Sequence, residues 1–213
     1  MLRKINKRWA GFCVVAAPGP SLSKEVGRAC AGFPVVAVND AWRRVPTAEV
    51  LYACDASWWE LHNGCSEFAG EKWSSHGNAG HNDKHDCAKR HGLNLVAGKA
   101  EDGFSRDPAL IHYGDNSGFQ AINLALHMIG WQGRIVLVGF DMRMVDGKRH
   151  FFGEHPPGLR QTQNGYQAWP KKFATAAAML PADVEIVNCT PGSALTCFRA
   201  MDLRDALPIV AER

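Results

Sequence analysis

The chain has 213 residues, 46% of them hydrophobic and 21% charged, with a formal net charge of +3. That length suits one domain spanning 1–213 with its own core, and the composition excludes a disordered chain. No apolar run approaches the roughly 20 residues of a membrane helix, and so small a positive charge gives no field that argues for nucleic acid. The seven cysteines are odd in number and scattered, and Cys13, Cys54 and Cys189 fall in apolar, strand-like contexts. That usage fits reduced thiols in a cytoplasmic protein better than a disulfide framework.

The basic segment from Met1 to Trp9 reads as a solvated arm. The apolar stretch after it is short, carries Pro-Gly-Pro and lacks a small-residue cleavage site. Phe12 to Leu22 organises the rest of the chain. An apolar run of strand character stops at Pro18-Gly19-Pro20-Ser21, and Ser21 is placed to cap a helix through Val26 toward Cys30. At the carboxyl end of a strand in an open α/β sheet, such a loop and the helix after it can hold a phosphate. An ordinary βα turn is the competing reading, because Pro18 and Pro20 have no N–H and Gly19 is the loop's only glycine.

Two more strands come next, Pro34 to Val38 ending in Asn39-Asp40-Ala41-Trp42, and Val50 to Ala53 ending in Cys54-Asp55. In a parallel sheet these polar tips line one edge. From about Asn63 to Asp107 the chain is rich in Gly, Asn, His, Lys and Asp, and only Leu93 to Val96 suggests a strand, so it is expected to be an irregular excursion. His76, His81, Asp83, His85, Asp86, Cys87 and His91 lie in it. These are zinc-type ligands, but their spacing matches no standard zinc pattern, and no metal is assigned to them.

Asn116 or Ser117 can cap a helix that runs to His127 or Met128 and ends at Gly130. Arg134 to Phe140 is the strongest strand, its continuous apolar run suiting a central position. Its tip is Asp141, followed by a turn at Asp146-Gly147 and the cationic group Lys148-Arg149-His150. A Gly- and Pro-rich loop from Phe151 to Gly165 should lie over the site. A helix from Gln167 to Leu180 tolerates Pro170 in its first turn. The last strand, Asp183 to Val187, ends in Asn188 to Ser193, and a helical tail covers 195–207. Four of the seven tryptophans, Trp42, Trp58, Trp59 and Trp73, fit either buried core or a partner surface. Strands and helices alternate throughout, so the expected fold is α/β, a Rossmann-like three-layer sandwich with a mostly parallel sheet.

Five short motifs in this order carry a resemblance. Pro18-Gly19-Pro20-Ser21-Leu22, Val38-Asn39-Asp40, Asn116-Ser117-Gly118, Gly139-Phe140-Asp141 and Asn188 to Ser193 together resemble the bacterial lipo-oligosaccharide sialyltransferases. They are also similar to the motility accessory factors, to the archaeal-type hydroxymethylpterin diphosphokinases, and to small phage-encoded proteins of this type. The resemblance implies nucleotide contacts at Gly19, Pro20, Ser21, Asn39, Ser117 and Gly118. The strand tips Asp55, Asp141, Asn188 and Ser193 complete the expected nucleotide edge. The family's Asn before the first Gly is Pro18 here, which removes one side-chain contact. Where the family places two phosphate-steadying tyrosines, this chain offers Arg143 and Arg149 or His150. His155 is the histidine nearest upstream of the late helix and the candidate base, with Gln163 and Asn164 closer but unable to act as bases.

The resemblance therefore implies a nucleotide-dependent transferase, a glycosyltransferase with a CMP-sugar-like donor and an acceptor the sequence does not identify. No metal would be required. In the diphosphokinase alternative, Asp40, Asp55 and Asp141 would hold Mg²⁺ against triphosphate oxygens. The third alternative is a nucleotide-binding accessory protein without catalysis.

Overall fold

In this computed structural model residues 1–76, 82–157, 159 and 165–209 are described. Of the sequence candidates, His81, Gln163, Asn164 and the side chain of Asp83 lie outside them.

Nine strands form one sheet: β1 (Phe12–Ala16), β2 (Val35–Val38), β3 (Val50–Tyr52), β4 (Glu71–His76), β5 (Asn94–Lys99), β6 (Leu110–His112), β7 (Gly133–Val138), β8 (Val184–Asn188) and β9 (Arg199–Ala200). Their order is β6-β5-β4-β3-β2-β1-β7-β8-β9, and every neighbouring pair is parallel. The central strands are continuous apolar runs because both faces are covered. In β1, Cys13 and Val15 enter one core while Val14 and Ala16 enter the other. The helices are α1 (Lys24–Ala29), α2 (Ala56–Leu61), α3 (Asn82–His91), α4 (Ser117–Ile129), α5 (Gly165–Ala178) and α6 (Leu203–Ala206). One face is covered by α4 and α5, the other by the segments around α1, α2, α3 and α6. This is the expected Rossmann-like α/β sandwich. Among the described residues no helix is long and apolar enough to cross a membrane.

The chain lays down β1 to β6 outward in one direction, then returns through α4 to place β7 on the other side of β1. The direction of winding reverses between β1 and β7, and in open parallel sheets the ligand crevice opens at that reversal, beyond the carboxyl ends of the strands. Buried polar side chains set where α4 lies. Gln120 Oε1 accepts from Tyr52 Oη at 2.6 Å and from Ser75 Oγ at 2.8 Å. Asn123 Oδ1 accepts from the backbone of Ser105 and His112. The helix starts as expected, with Asn116 accepting from the Phe119 N–H, and stops at Gly130 in the left-handed conformation, φ 76°.

Several local expectations are corrected. The N-terminal arm is docked rather than solvated: Arg3, Ile5 and Arg8 donate backbone hydrogen bonds to the body, and Ile5 and Trp9 are buried. The cap of α1 is Ser23, whose Oγ accepts from the Val26 N–H, and not Ser21. The stretch from 63 to 107 is no irregular excursion, since it supplies β4, α3 and β5. Pro170 sits in the second described turn of α5, where its missing N–H leaves the Tyr166 carbonyl without a helical partner. The expected tail helix is β9 followed by the short α6, capped by Asp202. Trp58, Trp59 and Trp73 are buried, so they form no partner surface. The seven cysteines, all among the described residues, form no disulfide.

Candidate functional site

A cleft of about 180 Å³ opens at the β1/β7 switch point. Its floor and walls come from strand tips distant in sequence: Gly19 after β1, Asn39 after β2, Cys54 and Asp55 after β3, and Asp141 after β7. The N-terminus of α4 enters from one side through Asn116, Ser117 and Gly118. The loop after β7 brings Arg149, His150 and His155, and α5 adds Tyr166 and Trp169.

The opening loop is not a phosphate cradle. The Gly19 N–H donates to the Gly139 carbonyl at 3.0 Å, and the Ser21 N–H donates to Asp141 Oδ2 at 3.3 Å. With Pro18 and Pro20 lacking an N–H, no amide of residues 18–21 is left to meet an anion. The loop instead fastens β1 to β7. Ser21 Oγ adds a second bond to Asp141 Oδ2 at 2.8 Å, and the Phe151 N–H reaches back to the Pro18 carbonyl. Gly19 is glycine because a β-carbon there would overlap the Asp141 carboxylate and the Gly139 carbonyl. Pro20 and Ser21 do not line the cleft.

The anion-receptive feature lies across the crevice. In the first turn of α4 the N–H groups of Ser117 and Gly118 have no acceptor within the helix, and the aligned peptide dipoles favour negative charge there. Ser117 Oγ donates to Cys54 Sγ at 3.0 Å. Burial, with Asp55 beside it, pushes the Cys54 thiol up to about 12, so it remains a thiol at neutral pH and no nucleophile.

Asp141 is 2% exposed, and its Oδ1 has no hydrogen-bond partner. Burial raises its carboxyl above the ordinary carboxylate range despite the Ser21 hydrogen bonds. The folded protein then holds this proton more tightly than the unfolded chain. As pH rises from the ordinary Asp value through the raised one, stability is lost, and an ionised buried carboxylate is a standing cost above it. Asp141→Asn should therefore gain stability relative to the parent on going from roughly pH 3 to pH 7. Urea-unfolding midpoints of both proteins across that range check it, and parallel midpoints would mean that the carboxylate is not strained by burial.

The histidines are held near one another. The rings of His150 and His155 have centroids 4.4 Å apart, and His150 stacks on Phe152 at 4.9 Å. Burial, with His155 alongside, pushes His150 down to about 4, and its Nδ1 lies 3.2 Å from the Gly153 carbonyl oxygen. Burial also lowers His155, whose buried Nδ1 has no partner. Both rings are neutral at pH 7, and a neutral imidazole can accept a proton.

Other candidates serve as scaffold. Asn188 bonds the Leu195 carbonyl and the Thr190 N–H, while Ser193 Oγ donates to the Phe140 carbonyl and Thr190 Oγ1 accepts from the Phe140 N–H. The 188–195 turn thus fixes the backbone that carries Asp141 and takes no place in the cleft. Arg143 turns away to the Gly192 carbonyl at 2.6 Å. Asp40 is committed to Trp58 Nε1 at 2.9 Å and to Arg43, so the three-carboxylate centre of Asp40, Asp55 and Asp141 is not assembled. Asp55 and Asp141 do share the cleft. Sequence reasoning missed Cys54, Tyr166 and Trp169. The aromatic pair immediately after the covering loop was the available signal for the last two.

No family model, curated protein or solved structure matches the chain. The geometry of the cleft carries the functional reading.

Proposed function

We propose that the protein is a nucleotide-dependent transferase, a glycosyltransferase-like enzyme that places a CMP-sugar-like donor in the β1/β7 crevice. The observation that supports this is the meeting, in one switch-point cleft, of the α4 N-terminus, Arg149, whose Nε lies 3.6 Å from Glu154 Oε2, and the neutral His155. The order of its motifs, which resembles that of the sialyltransferases, supports the choice of donor. In this reading the donor phosphate sits at the Ser117 and Gly118 N–H groups, and Asn39 and Asp141 Oδ1 accept hydrogen bonds from its hydroxyl or amino groups. His155 takes the proton of an acceptor hydroxyl as that oxygen attacks the anomeric carbon, and the bond from the sugar to the phosphate oxygen breaks. The charge that grows on the departing phosphate is met by the helix amides and Arg149. Trp169 and Tyr166 exclude water from that side.

The presence of both Asp55 and Asp141 in the cleft favours a second reading, Mg²⁺-dependent pyrophosphoryl transfer. Incubation with CMP-sugars, or with ATP or GTP plus Mg²⁺, followed by chromatography of the released nucleotide, separates the two. The transferase reading predicts CMP release without added metal. Release of AMP or GMP only with Mg²⁺ overturns it in favour of the second, and binding without turnover of any donor leaves an accessory role.

A further inference from the structure

We infer that Glu60, Cys87 and His91 form a zinc site that clamps α3 onto α2, apart from the switch-point cleft. Cys87 and His91 are four residues apart on α3 and share one face, and Glu60 reaches them from α2. One ligand atom from each, a sulfur, an imidazole nitrogen and a carboxylate oxygen, lies within 4.8 Å of the others. Zinc bonds of about 2.0–2.3 Å in tetrahedral array bring ligand atoms closer than that, and side-chain rotation suffices to close the difference. Thiolate, imidazole and carboxylate together suit zinc rather than Mg²⁺ or Ca²⁺.

The surroundings orient the ligands. His91 Nε2 lies 3.0 Å from Glu60 Oε2, while Arg90 donates to Glu60 Oε1 at 2.6 Å and leaves Oε2 as the inward oxygen. This is the kind of outer partner that fixes a ligating carboxylate. The His91 ring is pressed onto Gly64, where a β-carbon would come within 2.5 Å of Nδ1, so the ring is set with Nε2 toward Glu60.

A second observation concerns what holds α3. Among its described side chains only Cys87 and Ala88 are buried, two small groups that remove little apolar area from water. A ten-residue helix is marginal alone, and this one is otherwise polar. Lys84 ties the start of α3 to the Cys54 and Ser75 carbonyls; a metal joining Cys87 and His91 to Glu60 adds an anchor at its other end and releases the Cys87 thiol proton on binding. Because α2 begins directly after Asp55, the clamp also braces one wall of the cleft.

Metal-stripped protein titrated with Co²⁺ and then Zn²⁺ tests the site. The expected result is one equivalent of Co²⁺ with a thiolate-to-cobalt charge-transfer band, bleached by Zn²⁺ and absent in Cys87→Ser. Since Cys87 is buried, the exposed Glu60→Gln gives a second readout: unchanged melting in chelator, zinc affinity about tenfold or more weaker, and no stabilisation at a zinc level that raises melting of the parent. Absence of the band in the parent, its persistence in Cys87→Ser, or equal zinc stabilisation of parent and Glu60→Gln overturns the proposal.

Discussion

Replacing His155 by Asn is expected to lower turnover about 10²- to 10⁴-fold, the range a positioned general base contributes, while nucleotide affinity stays within a few-fold of the parent. The split follows from where the ring sits. Its lowered proton affinity comes first from burial, so the ring is neutral at pH 7, free to act as a base and without the charge to hold a phosphate. The acid limb of kcat/KM should accordingly fall below the ordinary histidine value of about 6.5. His150 stacks on Phe152, its Nδ1 lies 3.2 Å from the Gly153 carbonyl oxygen, and it titrates at about 4. Its replacement by Gln should act through the loop and leave the pH limb in place. Undiminished turnover in His155→Asn would make the histidine a bystander.

Gly19→Ala should be a costly methyl addition at the cleft. The glycine is not in the left-handed region, so the penalty is contact alone: the new carbon would overlap the Gly139 carbonyl and the Asp141 carboxylate. A backbone carbonyl cannot rotate away, and overpacking of this kind costs roughly 1–3 kcal/mol. Relief requires the tips of β1 and β7 to part, which breaks the hydrogen bonds from Gly19 to Gly139 and from Ser21 to Asp141. The expected result is a lower urea midpoint together with loss of nucleotide binding. A variant that melts like the parent would show the tips to be more yielding than this packing implies.

The alternation of elements and the central strands were legible because apolar runs bounded by Gly, Pro and capping residues state them directly, as at Asn116 and Gly130. β4 was not. Its sequence, Glu-Lys-Trp-Ser-Ser-His, places Ser74 and Ser75 inside, and Ser75 is satisfied by Gln120, a partner 45 residues away that no local pattern reveals. The polar α3 escaped for a related reason, since only Cys87 and Ala88 among its described side chains are buried.

The cleft was legible as an edge of strand tips but not in its division of labour. Asn188, Ser193 and Ser21 are the residue types that bind ligands, yet each is consumed by the backbone or by Asp141. Two serines two positions apart, Ser21 and Ser23, compete for the role of cap, and only tertiary contact with Asp141 decides between them. Tyr166 fell between the loop read to Gly165 and the helix read from Gln167, whereas α5 starts at Gly165 and turns Tyr166 to the cleft.

In the proposed mechanism the α4 N-terminus at the β1/β7 crevice holds a nucleotide phosphate. Thermal unfolding of the parent protein with CMP, CDP, UDP, GDP and ATP, each with and without Mg²⁺, and with phosphate-free cytidine, checks this. A ligand at a hundredfold excess over its Kd adds about 2.7 kcal/mol, roughly 5–10 °C for a chain of this size. A phosphate held by the helix amides predicts such a shift with CMP, independent of Mg²⁺ and absent with cytidine. No shift with any nucleotide would contradict it.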